Sequence, residues 1–207
     1  MAKATYNKDN FFKILKALVS VGYTGKDLLF ALAQSAHETS GFTNDKITSH
    51  NNPSGITFAN NPSKQKNATQ GRVLPEWKDK PKKYYYAKFN TLNDWAVDYN
   101  RIIGKALKSS ADTTTYAQNL AKQGYYEVSS RYPKAIQNYS DGLLFHLKNI
   151  QRIIVDNINK FTSLNLPSNI QLTDNKLPIA TPKKDSNNNT ISPILVLALA
   201  IFAFSFF

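Results

Sequence analysis

The sequence predicts a mainly helical (α+β) domain with a small β-hairpin lobe, followed by a polar linker and a single C-terminal hydrophobic helix. Apolar residues recur at helical spacing on both sides of residues 41–91, where helical periodicity disappears and two short β-like runs stand out. Residues 163–190 are dominated by Asn, Pro, Lys and Thr, a composition typical of a solvated linker. Residues 191–207 contain no charged side chain. The predicted folded domain therefore spans residues 1–162.

The helices are predicted from their apolar stripes and from residues that start or stop a helix. Residues 8–22 carry one stripe, which ends at a glycine. Thr24 opens the next helix with Asp27 as a capping box, and a Ser-Gly break stops this helix near Glu38. Further helices are predicted at residues 92–107, 116–123 and 140–161.

The β-lobe is predicted from two runs, residues 55–59 and 84–89, joined by a long, mobile tip that contains glycine and proline. The tip is basic, because eight Lys and Arg side chains face only Glu76 and Asp79. Tyrosines and Trp77 interleave with these cations. This mixture suits sugar rings and the anionic groups of a bacterial wall, and it suits single-stranded nucleic acid equally well. The eight cations are Lys64, Lys66, Arg72, Lys78, Lys80, Lys82, Lys83 and Lys88.

Charge and composition restrict the chemistry. The net charge of +12 over 207 residues favours a polyanionic partner, namely nucleic acid, an anionic membrane surface or a bacterial wall, although a basic surface can also serve solubility alone. The absence of cysteine excludes disulfides, thiolate metal sites and cysteine nucleophiles. The histidines are only His37, His50 and His146, so no metal site is predicted and no cofactor is expected.

Glu38 is the residue best placed for chemistry, because it lies at the end of an apolar helix. The partial negative charge of a helix C-terminus and packing among apolar neighbours both disfavour an ionised carboxylate. A carboxyl group that keeps its proton near neutral pH is what a glycosidic general acid requires. The residues alone favour the other interpretation, a surface glutamate at a fraying helix end. A zinc-protease motif at His37 is excluded, since position 41 is glycine where a second histidine is needed.

Four segments carry motifs in a fixed order along the chain. Residues 33–42 are Ala-Gln-Ser-Ala-His-Glu-Thr-Ser-Gly-Phe, and residues 51–56 are Asn-Asn-Pro-Ser-Gly-Ile. The other two segments are residues 86–92 with Trp95, Asp98 and Tyr99, and residues 116–120 with Gly124, Tyr125 and Tyr132. Over about residues 10–150 these motifs resemble the glucosaminidase family of the lysozyme-like superfamily, which includes flagellum-associated wall hydrolases, autolysins and phage endolysins. Family members carry Glu-Ser-Gly, whereas here Thr39 stands between the glutamate and the serine.

The resemblance implies a lysozyme-like helical domain in which Glu38 protonates the glycosidic oxygen. It also implies a second acid in the β-lobe, for which Glu76 is a better match than Asp79. That acid would activate water or stabilise an oxocarbenium-like transition state. Without it, the substrate's own N-acetyl group could assist, or the reaction could be a lytic transglycosylation that needs only Glu38. The substrate-binding residues that the resemblance implies are Asn52, Gly55, Trp77, Tyr85, Tyr86 and Tyr125.

These observations predict a peptidoglycan hydrolase that cleaves the β-1,4 glycosidic bonds of wall glycan strands. The enzyme type is an endo-β-N-acetylglucosaminidase, a muramidase or a lytic transglycosylase, and the sequence leaves open which bond is cut. The alternative is a wall-binding or structural membrane protein on a lysozyme-like fold that has lost catalysis. The predicted partners are bacterial peptidoglycan and a lipid membrane, and no nucleic acid is expected.

Residues 191–207 predict a transmembrane anchor. As a helix they span about 25 Å at 1.5 Å per residue, slightly less than a hydrocarbon core of about 30 Å. Lys183 and Lys184 favour a cytoplasmic position for the domain, and the N-terminal residues show no secretory signal. An enzyme so placed reaches a wall if the membrane belongs to the virion of a membrane-containing bacteriophage, at entry or at release. The alternatives are an enzyme released at lysis and a hydrophobic helix buried against a partner.

Overall fold

The computed structural model describes residues 5–75, 78–79, 81–126, 128 and 134–157. The chain divides into two compact units, Met1–Ile150 and Gln151–Phe207, and of the second unit only residues 151–157 are described. The elements are α1 (Lys8–Ser20), α2 (Gly25–Glu38), α3 (Asp45–His50), β1 (Thr69–Val73), β2 (Tyr85–Lys88), α4 (Leu92–Lys108), α5 (Thr113–Lys122) and α6 (Ala135–Asp156). The expectation of a mainly helical α+β fold with a small antiparallel sheet is confirmed.

Helix α2 is the centre of the first unit. Its residues 28–36 are all buried, and α1 and α4 both pack against it. Burying each large apolar side chain stabilises the fold by about 1.5–3 kcal/mol. A helix that is apolar on all faces belongs inside a core. Glu38 is the last residue of α2, so its position is fixed by a helix that is packed within the core.

The predicted capping box at the start of α2 is wrong. Thr24 is the N-cap, but its side chain makes no capping hydrogen bond. Capping boxes form instead at α4, between Thr91 and Asp94, and at α5, between Asp112 and Thr115. In both, the N-cap side chain accepts from the backbone N–H three residues later, and that residue's side chain accepts from the N-cap N–H in return.

The chain reverses sharply after α2. Ser40, Gly41 and Phe42 all have positive φ, at 51°, 78° and 67°. The N–H of Gly41 donates to the carbonyl oxygen of Ala36 at 2.8 Å, which closes the helix end. A side chain at position 41 would collide with the carbonyl oxygen of Thr5, so only glycine fits where the N-terminal segment crosses this turn.

The β-lobe pairs differently from the prediction. Strand β2 lies within the predicted run 84–89, but its antiparallel partner is β1, in the segment that was predicted to be the tip. Residues 55–59 contribute one isolated bridge, between Thr57 and Tyr86. Two backbone hydrogen bonds accompany this bridge, from the N–H of Phe58 to the C=O of Tyr85 and from the N–H of Ala87 to the C=O of Ile56. The pairing stays short because polar side chains also bond the backbone there. Asn52 takes the N–H and C=O of Ile56, and Gln65 takes the C=O of Thr57 and the N–H of Ala59.

A short helix, α3, lies within the stretch that was predicted to be non-helical. Asn44 caps it by accepting from the N–H of Lys46 at 2.9 Å, and Asn51 ends it with φ of 46°. Only Ile47 and His50 of this helix are buried. Two buried positions, one of them a histidine, are too few to give a periodic apolar signal, so sequence periodicity could not reveal α3.

The remaining sequence predictions concern the C-terminal part of the chain. Helix α6 begins at Ala135, earlier than the predicted residue 140. The predicted linker, residues 163–190, and the predicted hydrophobic helix, residues 191–207, lie outside the described residues. Within the part of the chain that the structure describes, no helix has the length and apolarity needed to cross a lipid bilayer.

Candidate functional site

Glu38 is partly open to solvent, with a side chain that is 21% exposed. Its two carboxyl oxygens have different surroundings. The hydroxyl of Tyr139 donates to Oε1 at 2.8 Å. The Oε2 atom lies 4.0 Å from Nζ of Lys46, which is an ion-pair distance and longer than a hydrogen bond. Oε1 is therefore fixed by a neutral donor, while Oε2 keeps its lone pairs available.

Gly55 lies directly against this carboxyl group. Its φ is 65°, and a Cβ atom at this position would lie 3.3 Å from Oε2 of Glu38 and 3.3 Å from Nζ of Lys46. Any side chain there would crowd both charged groups and would also be strained by the backbone conformation. The structure thus brings the sequence-predicted Gly55 to Glu38 and keeps the space beside Oε2 open.

The turn that carries Gly55 is held from two sides. The hydroxyl of Tyr125 donates to the carbonyl oxygen of Ser54, and Nε1 of Trp95 donates to the hydroxyl of the same serine at 2.9 Å. Burial raises the pKa of Tyr125 well above its usual value, so this hydroxyl keeps its proton and remains a donor. Tyr125, predicted to line the cleft, also fixes the position of Gly55.

A cleft of about 620 Å³ opens beside Gly55. This volume falls within the range of about 300–1,000 Å³ that is typical of small-molecule sites. The lining comes from residues 55–57, 59 and 63–65 of the β-lobe, residues 101–103 of α4, and residues 123–125 after α5. A second depression, of about 560 Å³, lies over α4, but none of its lining residues is an acid. No acid is among the described residues that line the cleft at Gly55 either, and Glu38 is not one of them. Gly55 itself lines this cleft and lies against the Glu38 carboxyl group, which makes the cleft the better candidate for a reaction that uses Glu38.

Tyr139 of α6 was not found by sequence reasoning. Its ring stacks on Tyr126 with the centroids 4.6 Å apart, and the ring of His37 meets it edge-on at 4.8 Å. Burial, with the nearby Tyr125 and Glu38, raises the pKa of Tyr139 well above its usual value, so the hydroxyl remains a donor to Glu38. One tyrosine among polar residues at the start of a helix gives no signal that would mark it as a partner of Glu38.

A buried polar cluster supports α2 one turn before Glu38. The Oε1 atom of Gln34 accepts from the hydroxyls of Tyr99, at 2.6 Å, and of Tyr116. All three side chains are fully buried. Among the described residues, Nε2 of Gln34 has no hydrogen-bond partner. The cluster ties α2 to α4 and α5 and fixes the rotation of the helix that ends at Glu38.

Two histidines lie between α2 and α6. The ring of His37 packs against Gly142, where a Cβ would collide with it, and its centroid is 5.7 Å from that of His146. Nδ1 of His146 lies 2.7 Å from the hydroxyl of Tyr6. Burial, with His37 nearby, lowers the pKa of His146 to about 4, and burial also lowers the pKa of His37. Both rings are therefore neutral near pH 7, and this close approach of α6 is what places Tyr139 on Glu38.

The predicted aromatic residues Tyr85 and Tyr86 lie on β2 and are half-buried. Consecutive side chains of a strand point to opposite faces, so the two rings do not share one surface. The ammonium group of Lys46 lies 5.2 Å from the centre of the Tyr86 ring. The structure therefore connects Tyr86 to Glu38 through Lys46, and it leaves Tyr85 on the other face of the strand.

Asn52 is fully buried. Its Nδ2 donates to the carbonyl oxygens of Ile56, at 2.8 Å, and of Ala87, at 2.9 Å. Its Oδ1 accepts from the N–H of Ile56 at 2.9 Å. All of its polar atoms are used within the lobe, so in this structure Asn52 positions the turn that carries Gly55 and exposes no polar group to a ligand.

The predicted second acid and the predicted Trp77 cannot be placed in the site. Glu76 and Trp77 lie outside the described residues, and Asp79, the other acid of the tip, is exposed. Asp45, next to Lys46 on α3, is held by Arg72 through two hydrogen bonds, and these bonds lower the pKa of Asp45. Within the described ranges, no three His, Asp or Glu side chains lie close enough together to hold a metal ion.

No family model and no curated protein matches this sequence. One solved structure that resembles the chain is described as a type VI secretion system effector-immunity complex from Pseudomonas protegens. The TM-score is 0.45 and the sequence identity is 18%, over 67% of this chain and 86% of that chain. A resemblance at this distance assigns neither a family nor an activity.

Proposed function

We propose that the protein cleaves β-1,4 glycosidic bonds in the glycan strands of bacterial peptidoglycan, with Glu38 as the general acid. The arrangement of the Glu38 carboxyl group carries this proposal. Tyr139 holds Oε1, while Oε2 lies beside Gly55, a residue that lines the cleft. The order of motifs along the chain, which resembles that of wall glucosaminidases, supports the same reaction.

The proposal gives different roles to the two oxygens of the acid. An oxygen that accepts from Tyr139 serves as the carbonyl oxygen of the protonated acid, so the proton is carried by Oε2. From there it passes to the glycosidic oxygen as the bond from that oxygen to the anomeric carbon breaks. The bonding electrons leave with the protonated oxygen, and positive charge develops on the sugar ring, which water or the substrate's own N-acetyl oxygen then attacks.

Replacing Glu38 with Gln tests the proposal, because the amide keeps the size of the side chain but has no acidic proton. We expect wall-clearing activity to fall by about 10²–10⁴-fold while the thermal unfolding midpoint stays near that of the wild type. Asp141→Asn, the same change at an exposed site on α6, is the matched control and should clear walls normally. If a pure Glu38→Gln preparation clears walls at nearly the wild-type rate, Glu38 is not the general acid.

Mass spectrometry of the released fragments then defines the reaction. The sugar at the new reducing end shows which β-1,4 bond is cut. Ordinary reducing ends indicate hydrolysis, and 1,6-anhydro-muramic ends indicate lytic transglycosylation. The identity of the second acid is part of this question, because the described residues that line the cleft include no carboxylate and Glu38 only adjoins it through Gly55. Glu76 retains that role as a proposal from the resemblance.

The absence of any carboxylate among the described residues that line the cleft favours one alternative, a wall-binding protein that has lost catalysis. A zymogram separates the two functions, since binding without cleavage produces no cleared zone. Attachment to a membrane through residues 191–207, in a bacteriophage virion, is also part of the proposal. Its support is the uncharged composition of that segment. Release of the full-length protein from membranes by alkaline carbonate would argue against a spanning anchor.

A further inference from the structure

Lys46 occupies an unusual position for a lysine. It lies in the first turn of α3, and its side chain is only 13% exposed. The ammonium group lies 4.0 Å from Oε2 of Glu38 and 5.2 Å from the centre of the Tyr86 ring. The face of an aromatic ring attracts a cation, which helps to hold the ammonium group beside the acid.

The ammonium group of Lys46 has unused hydrogen-bonding capacity. An ammonium group carries three N–H donors. Within the part of the chain that the structure describes, Nζ of Lys46 has no hydrogen-bond acceptor, since its one ionic contact is longer than a hydrogen bond. Arg72, which also lies over the Tyr86 ring, differs, because Asp45 accepts two hydrogen bonds from it. Lys46 is thus a poorly solvated cation with donors left for a ligand.

Catalysis changes the charge balance around this cation. Glu38 must hold a proton to act as the general acid, and a protonated Glu38 no longer neutralises Lys46. Asp45 does not replace it, because both of its oxygens are bonded to Arg72. A cation with little access to water then needs another anion. An anion from the substrate would fill this role, and its binding and the protonation of Glu38 would favour each other, as thermodynamic linkage requires.

We propose that Lys46, held over Tyr86 beside Glu38, binds a carboxylate that the substrate carries near the bond to be cut. This inference rests on the proposed function and narrows its substrate class to glycans that bear carboxylates, in preference to neutral chitin-like polymers. In peptidoglycan such a carboxylate has two sources, the lactyl group of a peptide-free muramic acid and the stem peptide attached to it.

Three glycans test this subsite in the full-length protein and in Lys46→Met. A chitin hexamer has no carboxylate, a peptide-free wall glycan has lactyl carboxylates, and a peptide-bearing wall glycan has stem-peptide carboxylates. We expect the substitution to lower kcat/KM by about 10-fold or more on a carboxylate-bearing glycan and by less than about 3-fold on the chitin hexamer. A loss confined to one wall glycan identifies the source. An equal loss on all three, or no loss, overturns the subsite.

Lys16→Met is the matched control, because Lys16 is an exposed lysine on α1. It removes the same charge and should leave all three rates unchanged. A drop on the wall glycans in this variant would show that overall charge, and not Lys46, produces the preference, and would also overturn the subsite.

Calorimetric binding separates the subsite from the proposed reaction. Glu38→Gln removes the anion beside Lys46, so we expect it to increase the affinity for the carboxylate-bearing glycan by about 10-fold relative to that for the chitin hexamer. Adding Lys46→Met should abolish this preference. If the preference is present but the wild type cleaves no glycan, the proposed hydrolysis fails and the subsite stands. If the wild type cleaves wall glycan and the preference is absent, the subsite fails and the hydrolysis stands.

Discussion

The helical part of the first unit and the β-lobe, residues 52–90, hold their functional groups by different means. In the helical part, apolar side chains pack between α1, α2 and α4, and the buried polar cluster links the Gln34 side chain to two tyrosine side chains. In the lobe, by contrast, buried polar side chains bond directly to backbone groups. Asn52 holds Ile56 and Ala87, and Asp98 of α4 accepts from the N–H groups of Lys66, at 3.0 Å, and Asn67, at 2.9 Å.

The difference indicates how each side responds to mutation. The stability of an apolar interface depends on the total volume and the hydrophobic pattern of its side chains. Many side chains therefore contribute, and similar residues can replace one another. A bond from one side chain to the backbone depends on that residue type alone, because its loss leaves a buried N–H or C=O without a partner. The lobe should therefore depend on a few single residues, whereas the position of Glu38 should depend on many.

The largest expected effect comes from Asn52→Ala in the lobe. This change removes three hydrogen bonds and takes the Asn52 partner from the N–H of Ile56 and the C=O of Ala87, while the C=O of Ile56 keeps its bond from the N–H of Ala87. At about 1–3 kcal/mol for each unpaired group, the free energy of unfolding of the lobe should fall by roughly 3 kcal/mol or more. Hydrogen exchange should accelerate at the amides of Ile56 and Ala87 and remain slow along α2.

Asn90→Ala is the control for that change, because Asn90 is an exposed asparagine at the end of the lobe. Its exchange pattern should match that of the wild type. If Asn52→Ala accelerates exchange in α2 as much as in the lobe, the two parts unfold as one cooperative unit and the contrast between them is lost.

The next effect concerns acid pH and the helical part. Burial lowers the pKa of His146 to about 4, whereas an unfolded histidine titrates near 6.5. Below pH 6.5 the unfolded chain therefore binds a proton that the folded chain does not bind. The stability that the folded protein has with His146 neutral is fully present above pH 6.5 and is lost as the pH falls towards 4. By pH 5 the free energy of unfolding should be lower by about 2 kcal/mol.

The His146→Gln variant should lose less stability between pH 7.5 and pH 5 than the wild type does. Urea unfolding midpoints measured at the two pH values would show the difference. His50→Gln makes the comparison at the edge of the lobe, where His50 of α3 accepts from the N–H of Arg72 and burial also lowers the pKa of His50. We expect the larger relief of acid sensitivity from His146→Gln, since His146 lies beside a second histidine. A larger relief of acid sensitivity from His50→Gln would assign this sensitivity to the contact between α3 and the lobe.

The smallest expected effect is that of Tyr139→Phe. The ring stacking on Tyr126 is kept and only the hydrogen bond to Oε1 of Glu38 is lost, so stability should change little. With neither oxygen of Glu38 favoured as the proton carrier, kcat should fall roughly 10-fold while KM stays nearly constant. Tyr126→Phe is the matched control, because its hydroxyl donates to the carbonyl oxygen of Ala117 at 2.7 Å and not to the acid. An equal loss of kcat in the two variants would show that Tyr139 acts only through packing.

Much of the fold was predictable because it follows from local signals. Apolar periodicity predicted α1, α2 and α4 closely, and the Ser-Gly break placed Glu38 at the end of α2. The β-lobe was only partly predictable. Strand β2 was identified from its tyrosines, but its main partner β1 was missed. Residues 55–59, the predicted partner, pair with β2 only briefly, because side chains of Asn52 and Gln65 also bond their backbone.

The sequence by itself determined the helices, the apolar character of α2 and the place of Glu38 at its end, because each of these depends on residues within a few positions of one another. Only the tertiary structure decided what surrounds that acid. Tyr139 is 101 positions from Glu38 in sequence, and Lys46 and Gly55 reach it from α3 and from a turn in the lobe. Contacts between separate elements depend on how those elements pack and on single polar side chains that hold a turn, and neither leaves a periodic trace in the sequence.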